Sequence, residues 1–189
     1  MIDFEKDIIR CLETLHAGGL ILYPTDTIWG IGCDATNEAA VANIYKLKDR
    51  PDEKSMIILL ADARDINTYI TQPDPAVFDF IEQTTKPTTI IYDGPIGLAD
   101  NLVNQDNTIA IRIVKDNFCK TLIKRFRKPI VSTSANISGS PSPATFNDID
   151  AAIKNGVDHI VQHRQNDITP ANPSSIVRLK DGNIEIIRP

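Results

Sequence analysis

The stretch YPTDTIWGIGC, residues 23–33, places Thr25, Asp26 and Thr27 between an apolar run and a Trp-Gly-x-Gly turn. The run before it, LILY (20–23), reads as a short buried strand, because consecutive large apolar residues bounded by turn signals suit a strand covered on both faces. Ahead of that strand, Phe4, Ile8, Leu12 and Leu15 recur at helical spacing. Asp3 in front and Gly18–Gly19 behind predict a helix with Asp3 as its cap and a glycine stop. A helix leading into a strand that ends on two hydroxyls and a carboxylate points to an α/β sheet with a ligand at the strand end.

The rest of the chain repeats that alternation. Asn37 opens a second helix with Val41, Ile44, Tyr45 and Leu47 on one face, and Pro51 predicts its end near Lys48. MIILLA (56–61) reads as a central strand. Residues 62–85 read as two short helices broken at QPDP, and TTIIY (88–92) as a strand. A long polar loop follows, then the strand TIAIRIV (108–114), a basic helix, and the strand PIVSTS (129–134). Thr145 with Asp148 predicts a capping box for a helix to about Asn155. DHIVQ is another strand, and SSIVRL, KDGN and IEIIR form a C-terminal hairpin around Asp-Gly. The expectation is an α/β chain (α+β in some schemes): a single domain, 1–189, with one twisted mixed sheet flanked by helices.

Composition narrows the function. A hydrophobic content of 42% in 189 residues supports a full core and argues against disorder. The apolar run Met56–Ala61 is too short to span a bilayer, and the acidic N-terminus does not read as a secretory signal. Cys11, Cys33 and Cys119 are widely spaced and read as reduced core thiols of a cytoplasmic protein. A net charge of −5 argues against a surface built to grip nucleic acid throughout. The basic stretch CKTLIKRFRK (119–128) reads first as a solvated helix face, with a local patch as the alternative.

Four polar clusters fall at predicted strand ends: Thr25–Thr27, KLKDRPDEK (46–54), STSANISGSPS (132–142) and NPSS (172–175). Cations among hydroxyl donors suit a ligand bearing phosphate or carboxylate. Each cluster alone has a plain structural reading as turn, helix end or loop; together they favour a ligand site. There is no P-loop, no G-x-S-x-G elbow, and no Cys or Glu to join His159 and His163 as a metal set.

These residues resemble the YrdC-like threonylcarbamoyl-AMP synthases in their short, single-domain form. YPTDTIWGIGCDA is similar to that family's Pro-Thr-(Asp/Glu)-Thr opening, KLKDRP (46–51) to its Lys-x-Arg signature, and PIVSTSANISGSPSP (129–143) to its Ser-Ala-Asn-x-Ser-Gly motif. NPSSIV and IIRP resemble its Pro-Ser-Thr-Val and Arg-Pro segments. One segment departs from the pattern: Thr84-Thr85-Lys86-Pro87-Thr88-Thr89 stands where relatives carry Trp/Phe-Pro-Gly-Pro-x-Thr.

The resemblance implies a reaction of ATP, L-threonine and bicarbonate that yields threonylcarbamoyl-adenylate and pyrophosphate, with Mg²⁺ bridging the phosphates. A downstream tRNA threonylcarbamoyl-transfer machinery would consume the product. It implies Thr27, Ser132 and Ser174 against threonine. It implies Arg50, Lys54, Arg112, Ser134, Asn136, Ser142 and Arg188 against the nucleotide, and Lys48 and Arg50 as catalytic cations; no protein metal site is expected from the residues themselves. The alternative is a non-catalytic RNA-binding or ribosome-associated paralogue on the same fold, and weak RNA binding is compatible with either.

Overall fold

The computed structural model describes residues 3–49, 56–169, 171–180 and 183–189, and Lys180 by its backbone alone. The first helix, α1 (Glu5–His16), buries Ile8, Cys11 and Leu15, as its spacing requires. It leads through Gly18, at φ 78°, into β1 (Ile21–Tyr23) and β2 (Gly30–Gly32). Helix α2 (Glu38–Leu47) starts where Asn37 accepts a hydrogen bond from the Ala40 amide and stops at Lys48. Next come β3 (Ile57–Leu60), a 3-10 turn, α3 (Ile66–Tyr69), α4 (Ala76–Gln83), β4 (Thr88–Asp93) and β5 (Thr108–Ile113). Helix α5 (Asn117–Phe126), β6 (Ile130–Ser134), α6 (Ala151–Gly156), β7 (His159–Ile160), β8 (Ser175–Lys180) and β9 (Asn183–Arg188) complete the order.

Among the described residues, nine strands form one sheet in the order β7-β1-β2-β6-β3-β5-β4-β8-β9. It is mixed: β3–β5, β4–β8 and β1–β7 are parallel, and the other neighbours are antiparallel. The α/β class and the single mixed sheet expected from the sequence are what the structure has. Register decides what the centre of the sheet presents. Ile57 lies opposite Ala110 and Ser132, Leu59 opposite Arg112, and Gly30 opposite Ser134. With a side-chain period of two, Arg112, Ser132 and Ser134 therefore share one face. On the opposite face Ile90, Tyr92, Ile111 and Ile113 meet Phe80 and Ile81 of α4 around a small apolar cavity.

Local expectations differ in three places. Asp3 does not cap α1; Phe4 occupies that position without a side-chain bond. The acid that works at this end is Asp7, whose carboxylate accepts from the amides of Gln162 and His163. The capping box of Thr145 and Asp148 exists, but it opens a 3-10 turn, Phe146–Asp148; α6 begins later, capped by Asp150. The segment after β4 is less polar than it reads, since Ala99 and Leu102 are buried and the Ala99 amide bonds the Ala35 carbonyl. The Asp-Gly turn of the C-terminal hairpin lies outside the described residues, although β8 and β9 pair as expected. Cys11, Cys33 and Cys119 are free and buried.

Gly32 shows why the β1–β2 pair is so close. A Cβ there would lie 2.7 Å from Tyr23 Cε1 and 2.7 Å from the Val131 carbonyl oxygen, and the carbonyl cannot rotate away. Gly32→Ala should cost about 1–3 kcal/mol by overpacking. Urea denaturation should show a lower midpoint at unchanged slope.

Candidate active site

The turn between β1 and β2 is built by its own hydroxyls. Thr25 Oγ1 lies 2.9 Å from Thr27 Oγ1, donates to the Ile28 carbonyl at 2.8 Å and accepts from the Thr27 amide at 3.0 Å. Short Thr side chains bonding backbone two residues on are the usual way to fix such a turn. Arg112, projecting from β5, approaches from below. Its Nη2 lies 3.1 Å from Asp26 Oδ1 and 3.4 Å from Thr25 Oγ1. The Arg112 side chain is 3% exposed and that of Asp26 8%, so this is a buried ion pair.

Above it opens a cleft of about 220 Å³. Thr27, Arg112, Ser132, Ser134, Ser142, Ser174 and Arg188 all line it, with Trp29, Ile57 and Ile176 as apolar wall. Seven of the residues singled out in the sequence, from segments up to 161 positions apart, thus meet in one cleft. Their exposure is graded. Thr27, Arg112, Ser132 and Ser174 are buried, Ser134 is half-buried, and Ser142 and Arg188 are exposed. Ser174 is fixed twice: its hydroxyl lies 2.7 Å from Thr89 Oγ1, and its carbonyl accepts from Arg188 Nε at 3.1 Å and Nη2 at 2.7 Å. Arg112 Nε is buried and donates to no group among the described residues. A buried guanidinium N–H without a partner, on a residue that lines a polar cleft, is a donor suited to a carboxylate or phosphate oxygen.

The remaining expected residues divide. Lys48 does not line the cleft. It is 1% exposed, and its ammonium donates to the carbonyls of Ser134 and Asn136, the latter at 2.5 Å. Its own carbonyl accepts from Ser138 N at 2.8 Å, so Lys48 supports the Ser-rich loop from beneath. Asn136 folds inward, donating to the carbonyls of Ile137 and Ser140, and lines a neighbouring cavity that shares Ser142 with the cleft. Arg50 and Lys54 lie outside the described residues. Arg164 was not flagged by the sequence, yet its Nη1 donates to the Thr25 carbonyl at 2.9 Å. No spacing rule reaches across the 139 positions between them.

Among the described residues no cluster of three or more His, Cys, Asp or Glu side chains could hold a metal ion. The His163 ring instead packs 4.9 Å from Phe4 and 5.7 Å from Phe118. A second, larger cavity of about 600 Å³ is ringed by Arg64, Lys124, Arg127 and Lys128. Two of these cations are already matched, Arg64 with Asp62 and Lys128 with Asp34, which weakens it as an anion site.

Fold and cleft together define an α/β protein with a polar recess over a buried arginine. The chain belongs to the Sua5/YciO/YrdC family: the family model described as telomere recombination matches residues 13–189. Curated relatives include the threonylcarbamoyl-AMP synthases of Stenotrophomonas maltophilia, 31% identical over 95% of this chain and 97% of that protein, and of Coxiella burnetii, 29% identical over 95% and 100%. The fold is also that of P. abyssi Sua5 complexed with L-threonine, at a TM-score of 0.86 and 23% identity, over 98% of this chain and 54% of that one. E. coli YciO matches at a TM-score of 0.82 and 23% identity, over 97% and 88%. Among the described residues no helix is long and apolar enough to cross a membrane.

Two outcomes follow from the charges beneath the turn. Arg112→Gln leaves Asp26 buried without its counter-ion and should cost about 3–5 kcal/mol. Adding Asp26→Asn should recover much of that loss in denaturant melts, because the uncompensated charge is then gone. Asp116 caps α5 through Oδ1, and burial, reinforced by the nearby Asp26, pushes its carboxyl up. An acid raised in the native state destabilises it at neutral pH, and this cost disappears as pH falls through the native and then the ordinary carboxylate range. Asp116→Asn should therefore be relatively more stable at pH 7, with the advantage vanishing near pH 3–4 when both proteins are melted across a pH series.

Proposed function

We propose that this chain is an L-threonylcarbamoyl-AMP synthase, making threonylcarbamoyl-adenylate and pyrophosphate from L-threonine, bicarbonate and Mg²⁺–ATP. The names of its relatives support the activity, and one observation carries the assignment to this cleft: seven polar side chains line it, graded from buried to exposed. The buried group fits the amino acid. Arg112, expected from the resemblance on the nucleotide side, is proposed here to meet the threonine carboxylate, because its buried Nε has no partner among the described residues. Thr27, Ser132 and Ser174 supply hydroxyls for the threonine hydroxyl and amine. The exposed group, Ser134, Ser142 and Arg188, fits the nucleotide, whose base would extend past Ser142 toward the cavity lined by Asn136.

The chemistry needs positioning more than a nucleophile. The threonine amine bonds to the bicarbonate carbon and water leaves, giving a carbamate. A carbamate oxygen then bonds to the α-phosphorus of ATP, and the bond to the bridging oxygen breaks to release pyrophosphate. Two anions must approach, so fixed cations and oriented hydroxyls provide the stabilisation. Metal enters with ATP as part of the substrate. Lys48 orients the loop of Ser134 and Asn136, and Arg50 remains the proposed cation at the phosphates. Transfer to tRNA by a separate machinery would follow.

Pyrophosphate release should require threonine and bicarbonate together, with ATP alone nearly inert. Valine, isosteric but lacking the hydroxyl, should be poorer by as much as about 10⁴, because the hydroxyls built to meet it are left unpaired. Serine should be reduced but detectable. Threonine-independent release, or equal use of valine, would remove the assignment. RNA binding with no release at all would favour the non-catalytic paralogue.

A further inference from the structure

We propose that Arg164 is a positioning residue for the amino-acid subsite, acting through the Thr25 carbonyl. The inference rests on the threonine reading above and adds a residue to it. Arg164 sits at φ 67°, in the left-handed region that a residue with a Cβ avoids. Glycine would hold this backbone more easily. What arginine adds there is its side chain. Nη1 donates to the Thr25 carbonyl at 2.9 Å, while Nε faces Asp167 Oδ2 at 3.3 Å, which orients the guanidinium.

The segment carrying Arg164 is itself anchored. Asp7 accepts from the amides of Gln162 and His163 at 3.0 and 2.8 Å, and the His163 ring packs against Phe4 and Phe118. Arg164 therefore links a fixed loop to a turn in the cleft wall. The Thr25–Asp26 peptide is planar, so holding its carbonyl also sets the direction of the Asp26 amide. From that peptide hang the groups that matter: Thr25 Oγ1, which bonds Thr27 Oγ1, and the Asp26 carboxylate, which pairs with Arg112. Arg112 and Arg164 thus grip one turn from two sides, the first by side chains and the second by backbone. Only Arg112 lines the cleft. Arg164 acts without touching the ligand, so its removal should change amino-acid binding more than nucleotide binding.

Two variants separate the side chain from the backbone. Arg164→Gly removes the guanidinium and relieves the strained φ; Arg164→Lys keeps a cation on the same backbone. Calorimetry of the full chain with L-threonine and, separately, with Mg²⁺–ATP should show the threonine Kd of Arg164→Gly raised about tenfold. The ATP Kd should stay within about twofold, and Arg164→Lys should recover part of the threonine loss. Hydrogen exchange at the Thr27 amide, without ligand, should be several-fold faster in Arg164→Gly than in the natural chain. Unchanged threonine affinity in Arg164→Gly, or equal weakening of threonine and ATP, would overturn the proposal. So would unchanged Thr27 exchange. If the natural chain binds no threonine while Thr27 exchange still responds, the synthase reading and the subsite role fall together, and only the grip on the turn is upheld.

Discussion

The buried pair of Arg112 and Asp26 is the constraint on which the site depends. Arg112 is on β5, in the middle of the sheet, and Asp26 is in the turn that leaves β1. Neither charge is affordable alone at such depth. The pair therefore fixes the turn to the sheet centre, and with it the hydroxyls of Thr25 and Thr27. Asp26 Oδ1 lies 3.1 Å from Arg112 Nη2, and the buried Nε has no partner among the described residues. A guanidinium that is partly neutralised and rigidly held is ready to take a second anion without reorganising.

The hydroxyls of the cleft need such a frame because they come from short side chains on separate turns, loops and strands. Ser132 and Ser134 are set by the register of β6 against β3 and β2. Ser174 is set by Thr89 and Arg188, and the loop after β6 by the ammonium of Lys48. These supports are buried or part-buried hydrogen bonds, and loss of the buried Thr89–Ser174 bond would leave an unsatisfied partner. The same residues thus determine both the stability of the sheet centre and the shape of the recess.

Much of this was legible in the letters. The spacing of Phe4, Ile8, Leu12 and Leu15 gave a helix because an amphipathic face needs only local periodicity. The hydroxyl clusters at 25–27, 132–142 and 172–175 were visible as polar segments at strand ends. Partners far apart in the chain were not legible. Arg112 enters through the resemblance alone, as a residue facing the nucleotide, with nothing in the letters to join it to Asp26. Nor does a sequence show that the stem of Lys48 runs under a loop to two carbonyls. Arg164 left no signal, because neither a left-handed φ nor a bond to a distant carbonyl has a local pattern. Asp3 failed as a cap because Phe4 took that position in the helix start.

The central claim is that a single cleft over Arg112 holds the amino acid in its buried part and the nucleotide in its exposed part. A crystal structure of the chain with L-threonine and a non-hydrolysable ATP analogue tests this most directly. The account predicts the threonine carboxylate within hydrogen-bond distance of the Arg112 guanidinium, its hydroxyl among Thr27, Ser132 and Ser174, and the phosphates toward Ser134, Ser142 and Arg188. Threonine bound away from Arg112, or the nucleotide seated in the cavity ringed by Arg64, Lys124, Arg127 and Lys128, would contradict it.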